Sequence, residues 1–211
     1  MGKRASSLPN MVITLLIITA ISGSSLGFVF QLTKEPIATA KLLKQQEAIK
    51  EVVPEFDNDP GSEMYELTSN EGFILKVFPA KKNGEFIGAA VESMTNRGFG
   101  GDIRIMVGMQ PDGTIINYKV LEHKETPGLG TKMDEWFKTD KGNQSILNKN
   151  PGKHKLIVTK DGGEVDAITA ATISSRAFLH AVEVAYTTYS EKADAASTAT
   201  TQTNDEEGDA Q

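Results

Sequence analysis

The sequence predicts an α+β protein in which a single N-terminal transmembrane helix precedes a small domain of helices packed on an antiparallel sheet. Two observations lead to this prediction. Residues 11–32 carry no charged side chain, and a run of that length is typical of a membrane-spanning helix. Residues 73–122 alternate apolar and polar side chains between short turn signals, whereas a helical apolar period becomes clear only near residue 173. Strands and helices that occupy separate parts of a chain favour the α+β class.

The N-terminal segment sets the expected membrane topology. Its 22 uncharged residues would extend roughly 33 Å as a helix, which matches the hydrocarbon core of a bilayer. Lys3 and Arg4 precede it, so the positive-inside rule places the N-terminus in the cytoplasm and the chain after Lys34 outside. A cleaved signal peptide is the alternative, but the uncharged run exceeds the usual apolar region of a signal. We therefore expect residues 1–33 to hold a cytoplasmic N-terminus and an uncleaved anchor.

Residues 34–72 are expected to form a juxtamembrane helix and a connection. Pro36 suits the first turn of a helix, and Pro54 suits its end. Residues 55–72 are rich in Asp, Asn, Pro, Gly and Ser, a composition typical of a surface connection.

The folded domain is expected to occupy residues 73–190. Two hairpins are predicted there, because Asn83-Gly84 and Asp112-Gly113 each separate two apolar segments. A further strand pair is predicted around Gly162-Gly163, followed by a helix over about residues 173–189. Residues 191–211 are expected to be a disordered acidic tail. The helix residues expected to pack on the sheet are Ala177, Ala181, Val184 and Ala185.

Composition excludes several classes of function. Six acidic residues and one lysine follow Ser190, which gives that tail −5 of the chain's −6 net charge and leaves the remaining residues nearly neutral. A nearly neutral body offers no basic surface for nucleic acid. The chain has no cysteine, so disulfides, thiolate nucleophiles and cysteine-bound metal centres are excluded. Any redox chemistry would need an organic cofactor.

The segment "DAITAATISSRAF", residues 166–178, places hydroxyl side chains at the predicted start of the last helix. Threonines and serines commonly cap exposed N–H groups at such a position. The same N–H groups and the positive end of the helix dipole also attract phosphate. A threonine there could hold a phosphate covalently, and Ala170 and Ala171 would leave room for a bulky group. The residues alone leave both interpretations open.

Other motifs carry less information. The loop "ETPGLG", residues 125–130, is either an ordinary turn or a close backbone approach to a flat ligand. The glycines of "RGFGGD" lack the spacing of a dinucleotide site, and the three histidines lack the spacing of a zinc site. Trp136 and Phe137 are expected to be core residues rather than cofactor contacts.

In order and spacing, the uncharged N-terminal span, "RGFGGDIRIMVGM", "HKETPGLGTKM" and "DAITAATISS" resemble the FMN-binding, G-type subunit of the Rnf ion-translocating electron transport complex. The domain is similar to that of the C-type subunit of the sodium-pumping NADH:quinone reductase. The last motif of the family reads Asp, two variable residues, Ser or Thr, usually Gly, then Ala-Thr. The resemblance covers most of the chain up to about Tyr189.

The resemblance implies a covalent flavin. A flavin transferase would join the FMN half of FAD to Thr172 through a phosphoester, and Asp166 and Thr169 match the other recognition positions of the motif. Ala170 stands where the family usually has glycine, and Ala171 precedes the modified residue. Phe99 stands where the family often has tyrosine. The expected wall of the flavin site comprises Glu125, Thr126, Pro127, Gly128, Leu129 and Gly130.

The resemblance also implies the role of the chain. It would relay electrons through FMN to and from the other subunits of a membrane complex. That complex would couple electron transfer between ferredoxin and NAD to the movement of ions. The chain would lie in the cell inner membrane, with its FMN domain on the extracytoplasmic side. We expect no catalytic acid or base and no metal ligand on this chain, which would be an electron-transfer subunit rather than a stand-alone enzyme. The alternatives are a covalent-FMN carrier of another respiratory assembly and an anchored assembly module without a cofactor.

Overall fold

The computed structural model describes residues 8–204, with side chains described through residue 191. The chain divides into two units, residues 1–44 and residues 45–211. Helix α1 spans both units, and the second unit contains a five-stranded sheet and two further α-helices. The elements are α1 Leu8–Val52, β1 Tyr65–Thr68, β2 Ile74–Lys82, β3 Glu85–Gly98, β4 Gly101–Met109, β5 Ile115–Glu122, α2 Met133–Trp136 and α3 Thr172–Asn204.

Helix α1 is long and apolar enough to cross a membrane. An 18-residue window within it has a mean hydropathy of 2.1, and every side chain from residue 8 to residue 44 is exposed within the chain. The predicted break between an anchor and a juxtamembrane helix is wrong, because Pro36 lies inside α1. A proline removes one backbone hydrogen bond from a helix. The helix continues through it when the flanking residues favour the helical conformation. Lys3 and Arg4 lie outside the described residues.

The sheet confirms the predicted antiparallel hairpins. Its strand order is β1-β2-β3-β4-β5, and each strand pairs with its neighbour in sequence in antiparallel fashion. Asn83 and Gly84 join β2 to β3 with φ values of 54° and 80°, which is the combination that a two-residue type I′ turn needs. Strand β1 lies within the segment predicted as a plain connection. It has four residues and buries only Leu67, too few for an alternating pattern to be visible in the sequence.

Both faces of the sheet are covered. Helix α3 covers one face, and its four predicted sheet-facing residues are all buried. Phe178 of α3 stacks on Phe137, with ring centroids 4.5 Å apart and planes at 6°, so the interpretation of Phe137 as a core residue is confirmed. The last turn of α1 covers the other face, where Ile49 and Val52 join Met106 in a second apolar cluster.

Two predicted segments differ in the structure. The prediction of a strand pair around Gly162-Gly163 is wrong. The chain there forms a 3₁₀ turn at Thr159–Asp161 and an isolated bridge between Val158 and Val165. The segment closes on itself through short-range backbone hydrogen bonds, among them the bond from the Thr159 N–H to the Val165 carbonyl at 2.8 Å. Helix α3 continues to Asn204 instead of ending near Tyr189. Residues 191–204 are rich in alanine, which extends an existing helix without a new nucleation step. Residues 205–211 lie outside the described residues.

Gly108 should be essential for the contact between the sheet and α1. A Cβ atom at this position of β4 would overlap the backbone carbonyl of Val52. We expect Gly108→Ala to lower the free energy of unfolding by about 2 to 3 kcal/mol, because neither backbone can move freely. Thermal unfolding of the detergent-solubilised chain measures this loss. Gly61→Ala is the matched control, since Gly61 is exposed and the change there should stay within about 0.5 kcal/mol. Equal melting temperatures for the two variants would contradict the prediction.

Candidate functional site

A tight turn leads the 166–172 segment into α3. The Ala171 N–H donates to the Ile168 carbonyl at 3.0 Å, and Ala170, third in the turn, has a φ of 62°. A positive φ at the third position is characteristic of a type II turn and normally selects glycine. The buried Ser175 hydroxyl accepts the Ile168 N–H at 2.9 Å and donates to the Ala171 carbonyl at 3.0 Å. The turn is therefore fastened to the first turn of the helix.

Thr172 is the first residue of α3 and is half-buried. The Ser175 N–H donates to the Ala171 carbonyl at 3.0 Å, the first hydrogen bond of the helix. The N–H groups of residues 172–174 precede that bond, so the helix itself supplies them with no acceptor. They form the positive end of the helix dipole. Thr172 thus places a hydroxyl beside backbone donors that suit an anion.

Arg176 adds a positive charge near this helix start. It lies four residues after Thr172, on the same side of α3. Its guanidinium forms a two-pronged pair with Asp161, with both N–O distances at 2.7 Å. This hydrogen-bonded pairing holds the pKa of the Asp161 carboxyl below its usual value. Arg176 was absent from the sequence-based set, although its spacing from Thr172 was visible in the sequence.

Asp166 fastens the same segment to the chain near α2. Its carboxylate accepts the Asn143 N–H at 2.9 Å, and its backbone carbonyl accepts the Trp136 indole N–H at 2.9 Å. Thr169 and Ala170 are exposed at the turn, whereas Ala171 is buried. Within the chain, Asp166 thus holds the base of the turn, while the outer part of the turn is accessible.

Glu125 connects the predicted loop to α3. Its side chain is only 4% exposed. One carboxylate oxygen accepts the Gly100 N–H at 2.8 Å, and the other accepts the Ser174 hydroxyl. Three segments therefore meet here: the 98–101 turn between β3 and β4, the 125–130 loop and the start of α3. We call this meeting point the Glu125 junction.

The surface beside the Glu125 junction is apolar. Each of the three segments contributes one large apolar side chain that is exposed: Phe99 is 68% exposed, Leu129 38% and Ile173 50%. The 126–129 turn is closed by the Leu129 N–H, which donates to the Thr126 carbonyl at 3.1 Å. Pro127 and Gly128 lie exposed at its tip, and Gly130 is buried beneath it. The structure thus brings the loop at residues 125–130 against the first turn of α3, which Thr172 begins.

Comparison with known proteins identifies what this region is. Residues 98–187 match the family described as the FMN-binding domain, a span that contains the Glu125 junction and Thr172. The chain is 34% identical over 180 residues to the G-type subunit of the ion-translocating oxidoreductase complex of Photorhabdus laumondii, covering 81% of this chain and 85% of that protein. The corresponding protein of Haemophilus influenzae strain 86-028NP is 33% identical over 184 residues, covering 77% and 86%. That of Vibrio atlanticus is 34% identical over 182 residues, covering 81% and 86%.

The chain belongs to this family of G-type subunits. The resemblance noted in the motifs is therefore confirmed, and so is the presence of an FMN-binding domain. Together with α1, family membership makes the chain a membrane-anchored protein. The assignment of individual residues to cofactor contacts, including the bond to Thr172, stays a prediction.

The left-handed conformation of Ala170 should cost stability. We expect Ala170→Gly to raise the free energy of unfolding by about 1 kcal/mol, because glycine adopts a positive φ without the steric penalty that alanine bears. Chemical denaturation of the solubilised chain measures the change. Ala171→Gly is the control: the neighbouring methyl group is buried, so its loss should destabilise the chain by about 1 kcal/mol. A destabilising Ala170→Gly would contradict the prediction.

Proposed function

We propose that this chain is the flavoprotein subunit of an ion-translocating ferredoxin:NAD oxidoreductase complex of the Rnf type, in which it relays electrons through FMN bound covalently to Thr172. The observation that carries the proposal is the position of Thr172 within the matched FMN-binding region, at the start of α3 and beside the Glu125 junction. The names of the relatives support a place in an ion-translocating oxidoreductase complex, and the resemblance of the motifs supports ferredoxin and NAD as its redox partners.

The residues around Thr172 suit a phosphoester. In the proposed modification, the Thr172 oxygen bonds to the phosphorus of the FMN half of FAD, the phosphoanhydride bond breaks, AMP leaves and the hydroxyl proton is lost. The first-turn N–H groups would offset part of the negative charge of the remaining phosphate. A flavin transferase is the partner for this step. It would meet an accessible turn, since Thr169 and Ala170 are exposed.

The ring would be held by the loop at the Glu125 junction. Phe99 and Leu129 offer exposed apolar surface for a flat ring, and Gly128 has open space where a side chain would be. The isoalloxazine supplies the redox chemistry when it is bound, and the protein supplies orientation and an exposed edge for transfer. Covalent attachment keeps the effective concentration of the flavin high where free FMN would diffuse away.

The proposed location is the cell inner membrane. Lys3 and Arg4 ahead of the uncharged span favour a cytoplasmic N-terminus, and a single span then puts residues 45–211 on the extracytoplasmic side. The other subunits of the complex are the proposed electron-transfer partners.

Covalent flavin should depend on the Thr172 hydroxyl. When the full chain is co-produced with a flavin transferase and run on a denaturing gel, we expect flavin fluorescence in the parent and complete loss in Thr172→Ala, because alanine offers no oxygen for the phosphoester. Thr187→Ala is the control, since it removes a threonine hydroxyl from the same helix at a distance from the turn. A dark parent despite an active transferase would refute the covalent linkage, and a fluorescent Thr172→Ala would place it on another residue.

A further inference from the structure

Glu125 is an unusual residue for the interior of this domain. Among the side chains described for residues 8–191, it is the only carboxylate that is buried. A buried carboxylate is costly unless hydrogen-bond donors replace the water that it loses. The Gly100 N–H and the Ser174 hydroxyl supply these donors, one to each oxygen. The carboxylate therefore faces the protein and not the exposed surface on which Phe99 and Leu129 lie.

Glycine at three positions permits this arrangement. A Cβ atom on Gly130 would lie 2.6 Å from the Ser174 hydroxyl oxygen and 2.7 Å from the Glu125 Cβ. A Cβ atom on Gly98 would lie 2.7 Å from a Glu125 carboxylate oxygen, and one on Gly100 would overlap the backbone of Lys124. A side chain at any of these three glycines would therefore collide with Glu125, with Ser174 or with the backbone of Lys124. These glycines serve the packing of the junction.

We propose that Glu125 is a positioning residue for the flavin, and that it acts by tying the Gly100 turn and the 125–130 loop to the helix turn that carries Thr172. The proposal rests on the proposed function, because it concerns the same flavin. It replaces the expectation that Glu125 itself lines the ring. The ring contacts fall instead to Phe99, next to Gly100, and to Leu129 of the loop, and the Ser174 bond fixes both relative to a phosphoester two residues away.

Two substitutions separate the hydrogen bonds of Glu125 from its charge. In Glu125→Gln the amide oxygen still accepts the Gly100 N–H, and the amide nitrogen donates to the Ser174 oxygen, because a hydroxyl can accept as well as donate. The junction is then preserved without a negative charge. Glu125→Ala removes both bonds, and Ser174→Ala removes only the bond to α3. Ser93→Ala is the control, since it deletes a buried bond from β3 to the Ala181 carbonyl of α3, outside the junction.

The first measurement uses the full chain without flavin. Hydrogen exchange of the peptide containing residues 98–101 reports the Gly100 N–H. We expect exchange about tenfold faster than the parent in Glu125→Ala, which corresponds to the loss of one hydrogen bond to a charged group. Glu125→Gln and Ser93→Ala should stay within about twofold of the parent. Ser174→Ala serves as a second test of the junction if Glu125→Ala does not fold.

The second measurement uses the chain loaded with flavin by a transferase. The visible circular dichroism of a flavin reports how asymmetrically its ring is held, a property that global stability does not set. We expect a weaker signal per flavin in Glu125→Ala and Ser174→Ala, and a parental signal in Glu125→Gln and Ser93→Ala. A parental signal in Glu125→Ala, or a signal in Glu125→Gln as weak as in Glu125→Ala, would overturn the positioning role. A parent without covalent flavin would refute the proposed function instead, while the exchange measurement would still test the contacts of Glu125.

Discussion

An antiparallel sheet with two apolar faces must be covered on both sides, and the rest of this domain follows from how that requirement is met. Helix α3 covers one face, with Phe178 stacked on Phe137. The last turn of α1 covers the other face, where a glycine at position 108 allows the backbone of Val52 to touch β4. The buried side chains of α3 between Ala177 and Tyr189 pack in the core of the domain, so the first turn of the helix is fixed as well. A residue at that turn, Thr172, is held by the core of the domain and not by a free loop.

The sequence predicts the parts of this structure that have strong local signals. The hairpins follow from Asn83-Gly84 and Asp112-Gly113, and the sheet-facing side of α3 follows from its apolar period. The short strand β1 escapes prediction, because its four residues bury only Leu67 and show no alternating pattern. The chain around Gly162-Gly163 escapes prediction because backbone hydrogen bonds within the loop set its conformation. The prediction that a helix starts at Pro36 fails for a related reason. Proline is typical of a first helical turn, but the residues on either side determine whether a helix continues through it.

The candidate site divides in the same way. The motif at residues 166–172 and the loop at residues 125–130 are recognisable in the sequence, and their positions in one place follow only from the fold. The inward direction of Glu125 is not visible in the sequence, because a glutamate beside a turn is normally exposed. Its burial depends on Ser174 and on the three glycines that let the segments approach. Arg176 was missed although the sequence shows it four residues after Thr172, and its pairing with Asp161 follows only from the fold.

The backbone conformation of Ala170 bears on the proposed attachment of FMN at Thr172. The turn requires a residue with positive φ directly before Ala171 and Thr172, and this requirement accounts for the glycine that the family usually has there. Alanine adopts the same conformation at some cost, and the two hydrogen bonds of Ser175 hold the turn in place against that cost. A substitution that raises the energy of the turn without changing its shape leaves the Thr172 hydroxyl at the same helix terminus. The departure from glycine is therefore compatible with attachment at Thr172, and its effect falls on stability.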